Sequence, residues 1–377
     1  MRLFFFFSLV LCICSCSGKS DGSVTIINVD GSSVAVSSMD KLNSNTVTIP
    51  LSKLVEDCSL VQLEINEDAL FNPWFTTVTD NHIGVRPRSN TYKLFDRSGK
   101  FLRSVGSIGN GPGEYTMSLY DDIIDEKNEL IYLAPYMDNK ILVYKISGEF
   151  VKNIDMPEFI FKPKISLNDN VMTVLHEPHE NSKTMFIQFD VNTGEILHEL
   201  APPAHLVVDY GDNDIFNTRN VPMTFDFSYI CSDTLYHFNL KNKVIRPFFT
   251  MTDHLSKKPC KQYFQLNKDL LITRMLGEDL TIATDLKNKS SSYFNIVNDY
   301  FGNISIPVYV TKFRNGYFVH NIQPEDLMED IEKRLSENSC TENDKQTLKK
   351  VLSSLEEGAN NVVFIGKLKS EINEKLW

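Results

Sequence analysis

The feature that most restricts this chain is a turn that returns at a nearly fixed interval. Gly99, Gly148, Gly194, Asn242 and Asn288 each follow an aromatic-rich apolar run and precede a second one, and they are separated by 49, 46, 48 and 46 residues. The flanking runs are 92–96 with 101–105, 141–146 with 150–154, and 185–190 with 196–200; the fourth and fifth copies begin with 235–240 and 280–286. Short runs rich in β-branched and aromatic residues, bounded by Gly, Asn and Asp, predict strands. Glycine and asparagine tolerate the left-handed backbone of a tight connection. An interval of this length matches one four-stranded propeller blade, and each interval has room for two earlier strands, such as 119–124 with 129–134 and 164–167 with 171–175.

Five periods are visible, and a sixth can be assembled from what remains. Residues 306–313 and 316–320 supply two strands, 361–369 a third, and either 46–49 or 60–65 the fourth. A blade shared between the two ends of the chain ties the ring shut and removes exposed sheet edges. The expectation is an all-β fold: a single six-bladed β-propeller over 46–377, with four-stranded antiparallel blades and a last blade closed by N- and C-terminal strands. One insert, 324–358, reads as helical. Pro324 opens a segment with Leu327, Met328, Ile331 and Leu335 on one face; Thr341 and Asp344 then form a capping-box start for Leu348, Val351, Leu352 and Leu355, and Gly358 suits the end. The two segments should pack as a hairpin against the ring.

The start of the chain has a different character. After Met1-Arg2, residues 3–13 are almost wholly apolar, with four consecutive Phe at 4–7, which is the pattern of an export signal and too short to span a bilayer. Ile13-Cys14-Ser15-Cys16 resembles the bacterial lipoprotein signal, with Cys16 as the residue that is acylated and becomes the mature N-terminus. The departure is Cys14, where Ala or Ser is usual. Two or three acyl chains suffice for stable anchoring, so membrane lipid is the expected partner. Ser17 after Cys16, rather than Asp, points to the outer membrane of the cell envelope. The domain reading is a signal over 1–16, a flexible tether over 17–45 that is rich in Ser, Gly, Asn and Asp, and the propeller. The mature chain keeps Cys58, Cys231, Cys260 and Cys340, whose spacing fits no C-x-x-C metal site. One disulfide would suit an oxidising periplasm, but nothing selects the pair.

Three motifs invite chemical readings. The stretch 106–114 is rich in Gly, but a phosphate-cradling loop needs a helix N-terminus behind it, and the next element here is a strand; a tight crossover between blades is expected. His176-Glu177-Pro178-His179-Glu180 places its histidines three apart with Pro between them, which fails the helical His-x-x-x-His geometry of zincins, so a solvated rim loop is expected. Asp209-Tyr210-Gly211-Asp212-Asn213-Asp214 lacks the distal Glu of a calcium loop and reads as a polar surface turn. There is no G-x-S-x-G elbow, and no catalytic, cofactor or metal residue is assigned. The net charge of −11 gives an acidic surface without a dense basic run, which disfavours nucleic acid as a partner.

Residues 94–101, Leu-Phe-Asp-Arg-Ser-Gly-Lys-Phe, followed by Gly-Asn-Gly-Pro-Gly-Glu-Tyr at 109–115, resemble the NHL-like six-bladed β-propeller lipoproteins abundant in Bacteroidetes. Asp233-Thr234-Leu235-Tyr236, 244–248 and 362–369 resemble later landmarks of that family, so the likeness covers nearly the whole mature chain. The resemblance implies fold and location and carries over no catalytic residue. The expected role is a membrane-anchored, non-enzymatic binding or scaffolding module, monomeric, for a carbohydrate, a peptide or an envelope protein. The alternative is a hydrolase or lyase with its site in the central channel, where residues from several blades converge and linear order hides them.

Overall fold

The computed structural model describes residues 22–377 apart from 43, 89, 117, 210–213, 231, 254, 256–258, 279, 309–311 and 373–375. Six antiparallel sheets succeed one another around a ring. Blade 1 comprises Pro73–Val78, His82–Pro87, Tyr92–Asp96 and Phe101–Val105; blade 2 comprises Leu119–Asp125, Leu130–Pro135, Met137–Lys145 and Phe150–Phe161. Blade 3 is built from Lys164–Asn168, Val171–Leu175, Phe186–Asp190 and Ile196–Leu200, and blade 4 from Ile215–Phe216, Thr224–Tyr229, Thr234–Asn239 and Val244–Thr252. Cys260–Gln265, Leu270–Leu276, Leu280–Asp285 and Ser290–Asn298 form blade 5. Blade 6 takes Lys312–Arg314, Tyr317–Ile322 and Val362–Lys367 from the C-terminal part and Ser59–Gln62 from the N-terminal part, the last pairing Val362↔Gln62 through Ile365↔Ser59. The shared closing blade is therefore present, with its fourth strand drawn from the 60–65 region. Val47–Pro50 instead pairs in parallel with the outer strand of blade 5, and Ile304–Ile306 also extends that blade.

Six apolar clusters lie at the six blade interfaces, because each sheet has two faces and each must be covered by a neighbour. Tyr92 and Leu94 meet Ile131 and Leu133 between blades 1 and 2; Phe186 meets Phe225, Phe227 and Phe238 between blades 3 and 4; Ile83 and Phe95 meet Val319 and Val363 where blade 6 closes on blade 1. The insert forms two helices, α1 (Pro324–Ser336) and α2 (Glu342–Leu352), as expected. Thr341 and Asp344 form a complete capping box, and Leu327, Ile331, Leu348 and Val351 are buried with the cluster between blades 5 and 6.

Two expectations need correction. Within 17–45, read as a tether, Val24–Val29 and Ser32–Ser38 form an antiparallel hairpin whose second strand pairs in parallel with Val244–Thr252, from Ala35↔Phe249 to Ser38↔Thr252. Asp30 and Gly31 both have positive φ, 49° and 77°, as a two-residue hairpin turn requires, and Val24, Ala35 and Met39 join the cluster between blades 4 and 5. Burial of that apolar face outweighs the polar composition around it. In the fourth and fifth repeats the left-handed residue is not Asn242 or Asn288 but the next one, Lys243 (φ 57°) and Lys289 (φ 53°). These loops close with four residues between paired positions, Asn239↔Val244 and Asp285↔Ser290, which moves the bend by one. Gly99, Gly148 and Gly194 do adopt positive φ. A Cβ at Gly99 would also lie 2.1 Å from the Gln62 carbonyl oxygen, so the turn packs against the closing strand.

Candidate functional site

The inner strands converge on the axis, and there the chain places charge rather than apolar bulk. Asp121 and Asp122 are adjacent in a regular stretch of strand, opposite Ala134 and Leu133, so their side chains point to opposite faces. Asp122 faces blade 1, where it pairs with Arg86 Nε at 2.6 Å and accepts hydrogen bonds from Thr77 Oγ1 and Tyr92 Oη, both at 2.9 Å. Asp121 faces the axis. Its Oδ1 lies 2.5 Å from Arg314 Nη2 of blade 6, 3.5 Å from Arg219 Nη2 in blade 4 and 3.9 Å from Arg86 Nη2, while Oδ2 accepts the Ile165 amide of blade 3 at 2.8 Å. Five blades thus meet at one fully buried carboxylate. Burial alone would raise its pKa, but Arg219, Arg314, Lys164 and Arg86 outweigh burial and hold it far below the ordinary range. Burial, with Arg314 adding repulsion, brings the Arg219 guanidinium down to about 10.

Two cavities adjoin this hub. On the distal side, where the inner strands end, lies an open vestibule of about 530 Å³, lined among others by Thr77, Asp80, Asp125, Glu126, Arg219 and Tyr317. Its carboxylates are already engaged. Tyr317 Oη donates to Asp80 at 2.5 Å, and Glu126 accepts from Thr79 Oγ1 (2.5 Å), the Asn81 amide (2.9 Å) and Asn81 Nδ2 (2.6 Å), with His82 Nδ1 at 2.9 Å. Burial raises the Glu126 pKa less than these bonds lower it, so it stays below its ordinary value. On the proximal side, where the inner strands begin, is a neck of about 40 Å³ walled by Phe75, Phe216, Phe264 and Phe313 and reached by Lys164, Asn217 and Arg314. Lys164 Nζ sits 4.1 Å from the centre of the Tyr120 ring and 5.3 Å from that of Phe75. Burial depresses its pKa well below the ordinary lysine value despite attraction from Asp121.

The motifs singled out in the sequence do not form this centre. The loop 106–114 is a blade crossover, as expected: Gly106 and Gly113 have positive φ, and Glu114 folds back to accept from the Gly111 amide at 2.7 Å. His176, Glu177 and His179 are buried, which corrects the solvated-loop reading. His176 Nε2 lies 3.1 Å from Thr184 Oγ1, Glu177 pairs with Lys162 at 3.6 Å, and His179 Nδ1 contacts the Val208 carbonyl at 3.2 Å. Burial lowers the His176 pKa and raises that of Glu177. Of the 209–214 turn, Asp214 accepts from Tyr120 Oη at 2.7 Å, while 210–213 lie outside the described residues, as do Cys16 and Cys231. Cys58 and Cys340 are free thiols. Among the described residues no three His, Cys, Asp or Glu side chains group as metal ligands, and no helix is long and apolar enough to cross a membrane. Sequence reasoning missed Arg86, Asp121, Lys164, Arg219 and Arg314. The signal available was a charged residue inside or at the mouth of a predicted inner strand, as with Asp121-Asp122 in an otherwise apolar run.

Among solved structures, the "Putative exported protein" of Bacteroides fragilis aligns with 86% of this chain and 100% of its own at 14% identity and a TM-score of 0.57. A member of the DUF4221 family from Bacteroides vulgatus covers 84% of this chain and 98% of its own at 13% identity, with a TM-score of 0.46. Virginiamycin B lyase of Staphylococcus aureus covers 63% of this chain and 74% of its own at 14% identity and a TM-score of 0.42. The first of these supports the fold. No curated protein matches the sequence. The model of the domain of unknown function DUF4934 matches residues 34–367, the ring from the second strand of the N-terminal hairpin to the last strand of the closing blade, and the chain belongs to that family.

Proposed function

We propose that the mature protein is an extracytoplasmic lipoprotein, held in the cell envelope by acyl chains on Cys16, and that it acts as a non-enzymatic binding module whose ligand enters the distal vestibule. The observation that carries this reading is the open depression of about 530 Å³ beside the Asp121 hub, large enough for a sugar unit or a short peptide end. The common route of glycoside hydrolysis uses two carboxyl groups with separated pKa values, one of them raised. In the vestibule Glu126 is held low by four donors and Asp80 is bonded to Tyr317, which suits recognition of hydroxyl or ammonium groups better than proton transfer. Export is supported by the apolar leader, the Cys16 signal and a structural neighbour whose name includes export.

Calorimetry of the mature chain against envelope glycans and short peptides tests the binding reading. A ligand whose affinity falls at least tenfold in Tyr317→Ala supports it. Turnover of a glycoside or polyuronate substrate, abolished by Glu126→Gln, overturns it. Anchoring is tested separately: Cys16→Ala should move the protein from the membrane fraction to the soluble envelope fraction, and unchanged partitioning refutes the lipid assignment.

A further inference from the structure

We infer that the proximal neck is an anion site that takes a carboxylate, or an oxyanion of similar size, on Lys164, Arg314 and Asn217. The inference goes beyond the proposed binding role, since the neck and the vestibule share no lining residue, and each can be right without the other.

Charge around the hub is unbalanced. Arg86, Lys164, Arg219 and Arg314 surround two carboxylates, Asp121 and Asp122, so the hub holds more positive than negative charge. Further out, the Asp226 oxygens are occupied by the Thr218 amide and hydroxyl and the Arg219 amide, and Asp214 is held by Tyr120 at 2.7 Å and Lys162 at 3.8 Å. Lys164 is left over. It is 4% exposed, its ammonium lies against the Tyr120 and Phe75 rings, and among the described residues no carboxylate stands within 4.0 Å of it. Beside it two buried donors, Arg314 Nε and Asn217 Nδ2, lack an acceptor among the described residues. All three residues line the same cavity. Buried donors without acceptors are costly, so a group that brings negative oxygen to them is bound with that cost relieved.

Size and walls narrow the class. A cavity of about 40 Å³ holds about three spheres of water size, the number of heavy atoms in a carboxylate group. The walls beyond the donors are aromatic, so a small apolar acid seats better than a polyol acid. Diphosphates and nucleotides are too large.

The test uses the full mature chain with sodium acetate, sodium benzoate and sodium sulfate, each compared with sodium chloride at equal ionic strength. Calorimetry and thermal melting are the readouts. The expected result is saturable heat and a rise in Tm with acetate that chloride does not reproduce, and a weaker response to benzoate, whose ring exceeds the cavity of about 40 Å³. Binding to sulfate in place of the carboxylates would keep the anion site and reassign the ligand to oxyanions. Lys164→Met should weaken binding at least tenfold. Asn217→Ala, which removes one donor and no charge, should weaken it several-fold and decides the matter if the Lys164 variant does not fold. Responses to acetate, benzoate and sulfate no different from chloride, or wild-type affinity in the variants, overturn the inference.

Discussion

Between neighbouring blades this ring is held by apolar side chains, as where Phe186 stacks on Phe238 with centroids 4.1 Å apart, whereas on its axis it is held by charge, with Asp121 among three guanidinium groups. The apolar contacts are local: each joins two blades, and the ring repeats the device six times. The axial hub is singular and joins five blades at once. Apolar burial is forgiving in kind, since any side chain of suitable volume serves. A buried ion cluster is not, because removing one partner strands the others in a low dielectric.

The largest expected effect comes from that difference. Asp121→Ala leaves three guanidinium groups and Lys164 facing one another and should cost about 3–5 kcal/mol in urea unfolding. Phe186→Ala removes a fully buried ring in contact with Phe225, Phe227 and Phe238, at about 3–5 kcal/mol. Similar magnitudes conceal different physics, and pH separates them. The folded pKa of Asp121 is depressed, so its contribution is present above its unfolded value of about 4 and is lost as pH falls below that. The penalty for Asp121→Ala should therefore shrink in acid, while that for Phe186→Ala stays constant. Equal pH dependence of the two would erase the distinction between the interiors.

An acid-sensitive group also sits inside an apolar interface. His320 stacks on Phe364 at 5.9 Å, and burial brings its pKa from 6.5 down to about 4. The folded value lies below the unfolded one, so the unfolded chain takes up the extra proton and stability falls as pH drops from about 6.5 towards about 4. The slope is up to about 1.4 kcal/mol per pH unit from this residue. His176 and His237 shift in the same direction and add to the decline. In His320→Phe, proton uptake on unfolding across this window should fall by close to one, measured from the pH dependence of urea midpoints, with the Asp121 decline below it unchanged.

How far the sequence can be read obeys the same division. Blade interfaces come from strands that alternate and turns that repeat, so the interval around Gly99, Gly148 and Gly194 is enough to place them. The helical insert is legible because Thr341 and Asp344 cap locally. The axis is not legible. Arg86, Asp121, Lys164, Arg219 and Arg314 are spread over 229 positions, and only closure of the ring brings them together. The N-terminal hairpin is hidden for a different reason: Asp30-Gly31 between two apolar runs is a hairpin signal in its own right, but its Ser- and Asn-rich surroundings mask it. The burial of His176 and His179 depends on the long outer strands of blade 2, whose Phe161 ring lies 5.3 Å from that of His179, and nothing near 176–180 in sequence announces that cover.

The smallest expected effect concerns the rim, where the repeats differ from one another. Three hairpins turn on glycine, but blades 4 and 5 place Lys243 and Lys289 at φ 57° and 53°. A side chain in the left-handed region costs about 1 kcal/mol relative to glycine, partly offset because glycine has more freedom to lose on folding. The Lys243 amide bonds to the Asn239 carbonyl at 2.8 Å, a bond that glycine keeps. Lys243→Gly and Lys289→Gly should each stabilise the chain by about 0.5 kcal/mol, and by about twice that together, since distant sites add. Gly148→Lys should do the reverse and by more, because a Cβ there would approach the Arg103 side chain at 3.1 Å. Thermal melts of the four variants give the order. If the two lysine-to-glycine variants are destabilised instead, the loops of blades 4 and 5 are held by their side chains rather than tolerated by the backbone, and the rim would no longer count as the indifferent part of the molecule.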